Sequence, residues 1–337
     1  MHFRAGFAQM DITPEPGRVT LGAGPSARAA QGVRDRLSAA ALALGGAGGE
    51  AGVTVVALDS AGVDAAAHAR IHAACAGPGD RVILCCSHGQ GAPFLAEGPT
   101  VDADYLGQVA ARASAAARQA RSAMVPARLG WGRRALDTPP WGGRSPGGPA
   151  DGRLHLLRIE RAQSGREPIC ALWSLACRPS ALGPGNGQVS ADLVGAVRGG
   201  LPWPSLFLQG FAADQEPRDV GEGALAAWDA VAEVLAALWR STPTAPAGAL
   251  ALADGTCPLP GAGGGPRAAE IVALRLHNGR AAFWPGGPPA HLGRALPADC
   301  LPVGYAGVVP GDPPGADPEA GEALLAATRT LLAGLNG

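Results

Sequence analysis

The chain has 337 residues, 27 basic against 28 acidic side chains, and a net charge of −1 with no basic run, a balance that speaks against a nucleic-acid partner. Its length permits a sizeable core, and no low-complexity linker divides it, so one large domain spanning residues 1–337 is expected. Apolar residues make up 47% but aromatics only 4%, so that core must be built from Ala, Val and Leu with close backbone packing; the basic residues are all Arg.

Seven cysteines (75, 85, 86, 170, 177, 257, 300) are scattered without framework spacing or a C-x-x-C pair, so neither a disulfide scaffold nor a zinc ribbon is expected. Reduced thiols fit a cytoplasmic protein. No signal-peptide pattern opens the chain, and no apolar run approaches the roughly 18 residues of a membrane span.

In chain order, Phe3 to Ile12 alternates as a strand and is stopped by Thr13-Pro14-Glu15-Pro16-Gly17. Leu37 to Leu44 and Val53 to Leu58 follow as apolar strands, turning at Gly45 to Gly49. Residues 63–75 read as a helix with Val63, Ala67, Ile71 and Cys75 on one stripe. His68 and His72 stand i, i+4 on the next face; without an intervening Glu or a third ligand they read as surface histidines.

Arg81 to Ser87 is a buried strand running into His88-Gly89-Gln90-Gly91-Ala92-Pro93. Asp102 to Ala123 is a helix capped by Asp102 or Asp104, and Ala127 to Arg133 a strand. Thr138 to Gly152 is so rich in Gly and Pro that a long loop is expected, of the kind that forms lids. Leu154 to Ile159 and Pro168 to Ala176 pair as a hairpin, the second strand ending in Cys177-Arg178-Pro179-Ser180.

Ser190 is expected to cap a short helix with Asp192 in its first turn. Ser205 to Leu208 is a buried strand that empties at Gly210 into Asp214-Gln215-Glu216-Pro217-Arg218. Taken alone that segment reads equally as a solvated turn with a surface ion pair or as a site built on a strand end. An amphipathic helix covers Ala224 to Arg240, a hairpin turns at Asn278-Gly279 between Glu270–Leu276 and Arg280–Trp284, and Asp317-Pro318-Glu319 opens a last helix to Leu335. Alternating helices and strands with several hairpins predict an α/β fold with mixed α+β sheets and flanking helices.

Several landmarks occur in one order: Gly6 to Gly17, Gly32-Val33-Arg34-Asp35, Val53 to Asp59, Ser87 to Pro93, Cys177 to Gly183, Ser190-Ala191-Asp192 and Phe207 to Arg218. This string resembles the N-terminal catalytic domain of the neutral/alkaline non-lysosomal ceramidases and their shorter bacterial relatives, without a counterpart of the Ig-like C-terminal domain of the large enzymes. The resemblance implies amide-bond hydrolysis of N-acyl lipids by a zinc ion held by two histidines, a glutamate and a tyrosine.

The polar positions depart from that pattern. The family's Thr-His-Thr-His-Ser-Gly-Pro becomes Ser87 to Pro93, so His88 is the surviving candidate ligand and Gln90 replaces the second histidine. Cys-His-Pro becomes Cys177-Arg178-Pro179, Pro-Gly-Glu resembles Pro285-Gly286-Gly287, and the late Gly-Tyr-hydrophobe-Pro resembles Gly307 to Pro310. Zinc needs three or four donors, and Arg178 would put a cation at a ligand position. At the nucleophile serine stands Glu216, beside Asp214.

The expected outcome is a metal-free binding or partner subunit, with His88, Glu216 and Asp214 as catalytic candidates and Arg178, Gln90, Arg218 and Asp192 as substrate-binding candidates. Arg178 would replace the ion's charge and pair with Asp214, Glu216 or Asp192, while Arg218 would pair with Glu216 or Asp214. The alternatives are an amide hydrolase with a rebuilt site, using zinc through His88 with His291 or another donor, or a Cys-His nucleophile pair drawn from Cys85, Cys86 or Cys177. The ligand would be a homologous partner subunit or a small-molecule amide.

Overall fold

A computed structural model describes residues 3–23, 27–46, 52–96, 98, 101–145, 148–163, 165–246, 250–259, 267–307 and 318–335. The strands of three or more residues are, in chain order, β1 (Arg4–Asp11), β2 (Ser38–Gly45), β3 (Val53–Leu58), β4 (Arg81–Cys86), β5 (Val125–Ala135), β6 (Trp141–Gly143), β7 (Arg153–Arg161), β8 (Pro168–Leu175), β9 (Ser205–Gln209), β10 (Gln215–Pro217), β11 (Leu250–Leu259), β12 (Arg267–Leu276), β13 (Gly279–Phe283) and β14 (Cys300–Val303). The α-helices are α1 (Ala65–Cys75), α2 (Ala103–Ser122), α3 (Leu193–Gly199), α4 (Ala227–Ser241), α5 (Ala290–Ala295) and α6 (Pro318–Gly334).

The large sheet runs β9-β8-β7-β5-β1-β2-β3-β4, with a short ninth strand, Ala245–Pro246, beside β5. Its pairs are antiparallel except β8/β9 and β3/β4, and a smaller sheet runs β11-β12-β13-β14. Mixed pairing is what the hairpins require, since only the crossover connections return a strand in parallel.

The strand period of two sorts the cores. Ala39, Ala41, Val56, Leu58, Leu84 and Cys86 face α1 and α2, whereas Leu42, Leu44, Val55, Ile83 and Cys85 face Leu274, Phe283 and Leu301 of the small sheet. Along β7 to β9, Leu156, Trp173 and Phe207 face α3 and α4. The outer face of the small sheet packs on α5 and α6 through Ile271, Trp284, Leu292 and Leu324. Helices therefore cover the outside of two face-to-face sheets, and much of both faces of the large one is buried, which explains why strands such as β2 and β3 are almost wholly apolar. Alanine on the helix side lets α2 approach closely.

Three expectations are corrected. Thr138 to Gly152 is not a loop throughout: β6 pairs antiparallel with β10, and Trp141 is fully buried, stacked on Trp228 at 5.5 Å with its Nε1 donating to Asp151 O at 3.0 Å. Burying such a ring stabilises by about 3 kcal/mol, which offsets the cost of ordering the two or three residues around it. Asp192, not Ser190, is the N-cap of α3. The helix before Arg240 opens with a 3-10 turn, Glu222–Ala226, ahead of α4. The turn at Gly45 to Gly49 and the cap at Asp317 fall wholly or mostly outside the described residues.

Candidate functional site

The two edge strands of the large sheet are joined by one segment from the small sheet. After β14, Gly304 N donates to Gln209 O at the end of β9 (2.8 Å), while Cys86 N of β4 donates to Tyr305 O (3.1 Å) and Gly307 N to Leu84 O (2.8 Å). The loop after β4 and the loop after β8 also touch, because Gln90 N donates to Pro179 O at 2.9 Å. Strand ends remote in sequence thus meet around Tyr305.

His88 and Tyr305 are at the centre, stacked with ring centroids 4.0 Å apart and an interplanar angle of 14°. Both have left-handed backbones, with φ of 59° and 54°. That conformation costs a side-chain-bearing residue roughly 1–2 kcal/mol, so two such residues in stacked contact mark a place where the fold holds side chains against local preference.

His88 Nδ1 lies 2.8 Å from the Ala61 carbonyl, which can only accept; Nδ1 therefore carries the hydrogen and Nε2 the lone pair. Burial, followed by the nearby Arg178 cation, pushes the imidazole down to about 3, so the ring is neutral at physiological pH although part of the residue reaches the surface. Burial pushes the Tyr305 phenol up to about 12, with Arg178 and Arg144 pulling the other way.

Arg178 reaches this centre from the end of β8. Its Nη1 lies 3.5 Å from Glu216 Oε1, and the same oxygen accepts from Arg144 Nε at 3.1 Å. Arg178 Nε is buried without a hydrogen-bond partner among the described residues. Arg144 is brought in by the β6–β10 ladder and by its own N–H, which donates to Asp214 O at 2.8 Å.

The other expected site residues divide. Gln90 borders the cluster, its carbonyl accepting from Arg28 Nη2 at 3.2 Å. Asp214 Oδ1 instead accepts from Ala290 N at 2.7 Å, tying β10's approach to the start of α5. Asp192 is buried, and its carboxylate accepts from Ala181, Leu182 and Leu193 N at 2.7–2.9 Å, so both of its oxygens are engaged by backbone. Arg218 pairs with neither expected carboxylate; it is exposed, and its Nε donates to Pro139 O at 3.2 Å.

The rebuilt alternatives meet physical obstacles. Cys85, Cys86 and Cys177 are all buried, and burial pushes Cys86 up to about 12 and the other two well above their ordinary value, the reverse of thiol activation. His291 is exposed on α5. Among the described residues no three His, Cys, Asp or Glu side chains come together as metal ligands do. Around His88 stand the Tyr305 phenol and the Arg178 and Arg144 cations, so at most two donors of a kind zinc accepts meet there, fewer than the three or four it needs.

Tyr305, Arg144 and Gln209 were missed from the sequence. Tyr305 follows an apolar run and a glycine, a signal that could have found it, but the late tyrosine motif was placed at Gly307 to Pro310, of which Val308 to Pro310 lie outside the described residues. A Cβ on Gly287 would sit 2.1 Å from Tyr305 Oη, so the phenol occupies the room a side chain at 287 would need. Gln209 is fully buried beside Cys177 O, with its own Oε1 unpartnered among the described residues.

A second groove, of about 450 Å³, passes Asp11, Asp35, Arg36, Ser38 and Arg198 and shares no lining residue with this cluster. Its charges are paired within the protein, Arg36 with Asp11 and Arg198 with Asp59, both at 2.9 Å.

No family model and no curated protein matches this sequence. Solved structures do: the neutral ceramidase of Pseudomonas aeruginosa superposes with a TM-score of 0.75 at 14% identity, over 98% of this chain and 74% of that one. A structure described as ceramidase complexed with C2 matches with a TM-score of 0.72 at 14% identity, over 92% of this chain and 69% of the other. The two packed sheets with outer helices are thus, in this chain, the fold of the neutral ceramidases in a highly divergent sequence.

Proposed function

We propose that the chain is a zinc-free member of the ceramidase-like amidohydrolases that works as a binding or partner subunit in the cytoplasm. The observation that carries this reading is the Arg178 guanidinium, placed within 3.5 Å of Glu216 and near enough to His88 to add to the burial that keeps its imidazole neutral. A fixed cation at a position where the resemblance implies a histidine ligand opposes a divalent ion by charge and by geometry. The Tyr305 phenol beside Gly287 supports the same reading, because the space that a glutamate at 287 would need is filled. What remains is a cluster of hydrogen-bonding groups with no activated nucleophile: the thiols are protonated, and Glu216 is engaged by two arginines.

Metal analysis of the purified protein tests this. Substoichiometric zinc and no release of acid from N-acyl amides are expected. Stoichiometric zinc that disappears in His88→Ala would overturn the proposal.

A further inference from the structure

The charges at this site do not balance. Arg178 and Arg144 both address one oxygen, Oε1 of Glu216, at 3.5 and 3.1 Å. Each guanidinium presents five N–H donors, and the Nε of Arg178 is buried with no partner among the described residues. A group that costs about 1–3 kcal/mol to leave unsatisfied is normally paired, and at 3.5 Å the Arg178–Glu216 contact is an attraction between charges rather than a formed hydrogen bond. Their shared neighbours are His88, which is neutral, and the Tyr305 phenol, a donor. Among the three side chains in direct contact, two cations face one carboxylate.

We infer that Arg178 and Arg144 form a receptor for a small monocarboxylate, which docks between the two guanidinium groups as a second anion beside Glu216. This rests on the zinc-free reading of the site and names its ligand class. A carboxylate matches the planar fork of arginine through two parallel hydrogen bonds and brings one negative charge. A dianion would be opposed by Glu216 more strongly than a monoanion. His88 Nε2, the nitrogen left with a lone pair, would accept from a hydroxyl or amine on the same ligand.

The experiment is calorimetric titration of the full chain with acetate, phosphate and chloride at matched ionic strength, with zinc content measured on the same preparation. Acetate is expected to bind at one site. Arg178→Gln and Arg144→Gln should each weaken it about tenfold, the loss of one charge-assisted pair. Glu216→Gln should tighten it, because the internal competitor is gone; this sign separates a receptor from arginines that merely clamp Glu216. Because Arg144 and Glu216 are partly exposed, with side chains 52% and 38% accessible, those two variants keep the test open even if Arg178→Gln fails to fold.

Equal responses to the three anions, tighter binding of phosphate than acetate, or weaker binding in Glu216→Gln would each overturn the inference. Stoichiometric zinc would overturn the underlying reading instead, and a zinc-free protein that ignores acetate would overturn this inference alone.

Discussion

Two polar corners of the molecule, about one strand end apart in sequence, handle buried charge in opposite ways. At Asp192, a residue 1% exposed, both carboxylate oxygens accept from backbone N–H groups, so burial, which pushes its proton affinity up, is answered by three hydrogen bonds that pull it down. At Arg178 the charge is answered only by a shared carboxylate oxygen at 3.5 Å, and a buried donor is left over. The first corner spends its charge on holding loops together; the second keeps hydrogen-bonding capacity in reserve. Satisfaction, more than burial or charge, separates structural from functional polar groups here.

The largest effect should come from Asp192→Ala. It strands three N–H donors and removes an N-cap at a residue with φ of 56°, a loss of about 3–5 kcal/mol in urea unfolding. A loss below about 1 kcal/mol would erase the contrast between the corners.

Acid is the next lever. His88 at about 3 and His155 at about 4 lie below the unfolded value near 6.5, and burial lowers His68 as well. In each case the unfolded chain binds the proton first, so their stability contribution is complete above pH 6.5 and is lost as pH falls toward the folded values. The slope is up to about 1.4 kcal/mol per pH unit for each histidine. Asp192 and Asp80, both shifted upward by burial, act in the opposite sense, so the histidine share is read as the difference between the wild type and a histidine variant. His88→Asn should flatten the slope below pH 6.5 by one histidine's share, read from urea midpoints; an unchanged slope would mean that the ring is charged at this site.

The smallest effect should belong to Arg178→Gln, a change under about 1 kcal/mol, since a long, partly exposed ion pair contributes little. A cost comparable to Asp192→Ala would make Arg178 a structural residue and both corners alike.

Most strands were legible because alternation and Gly/Pro punctuation are local: Arg4–Asp11, Val53–Leu58 and Arg81–Cys86 fall where expected. Leu250–Leu259 and Cys300–Val303 were missed; the first is half-exposed along much of its length and carries Asp254-Gly255 and Pro258, residues that read as turns, and the second is four residues long and contains a proline. At the site, His88, Arg178 and Glu216, all singled out at strand ends, lie together, while Gln90 borders them through its backbone. Asp192, Asp214 and Arg218 were singled out on the same ground and are engaged by backbone groups instead, since which way a loop carboxylate turns depends on which N–H groups are otherwise unpaired.

By itself the sequence determined the alternation of helices and strands, the hairpins that make the sheets mixed, and the polar residues His88, Arg178 and Glu216 at strand ends, because periodicity and residue identity are properties of the chain read locally. Only the tertiary structure decided that Gly304 to Gly307 would join both edges of the large sheet, put Tyr305 on His88 and in the space beside Gly287, and bring Arg144 to the same carboxylate oxygen as Arg178. Those contacts span scores of residues, and no local propensity encodes them; they follow from burying both faces of one sheet at once.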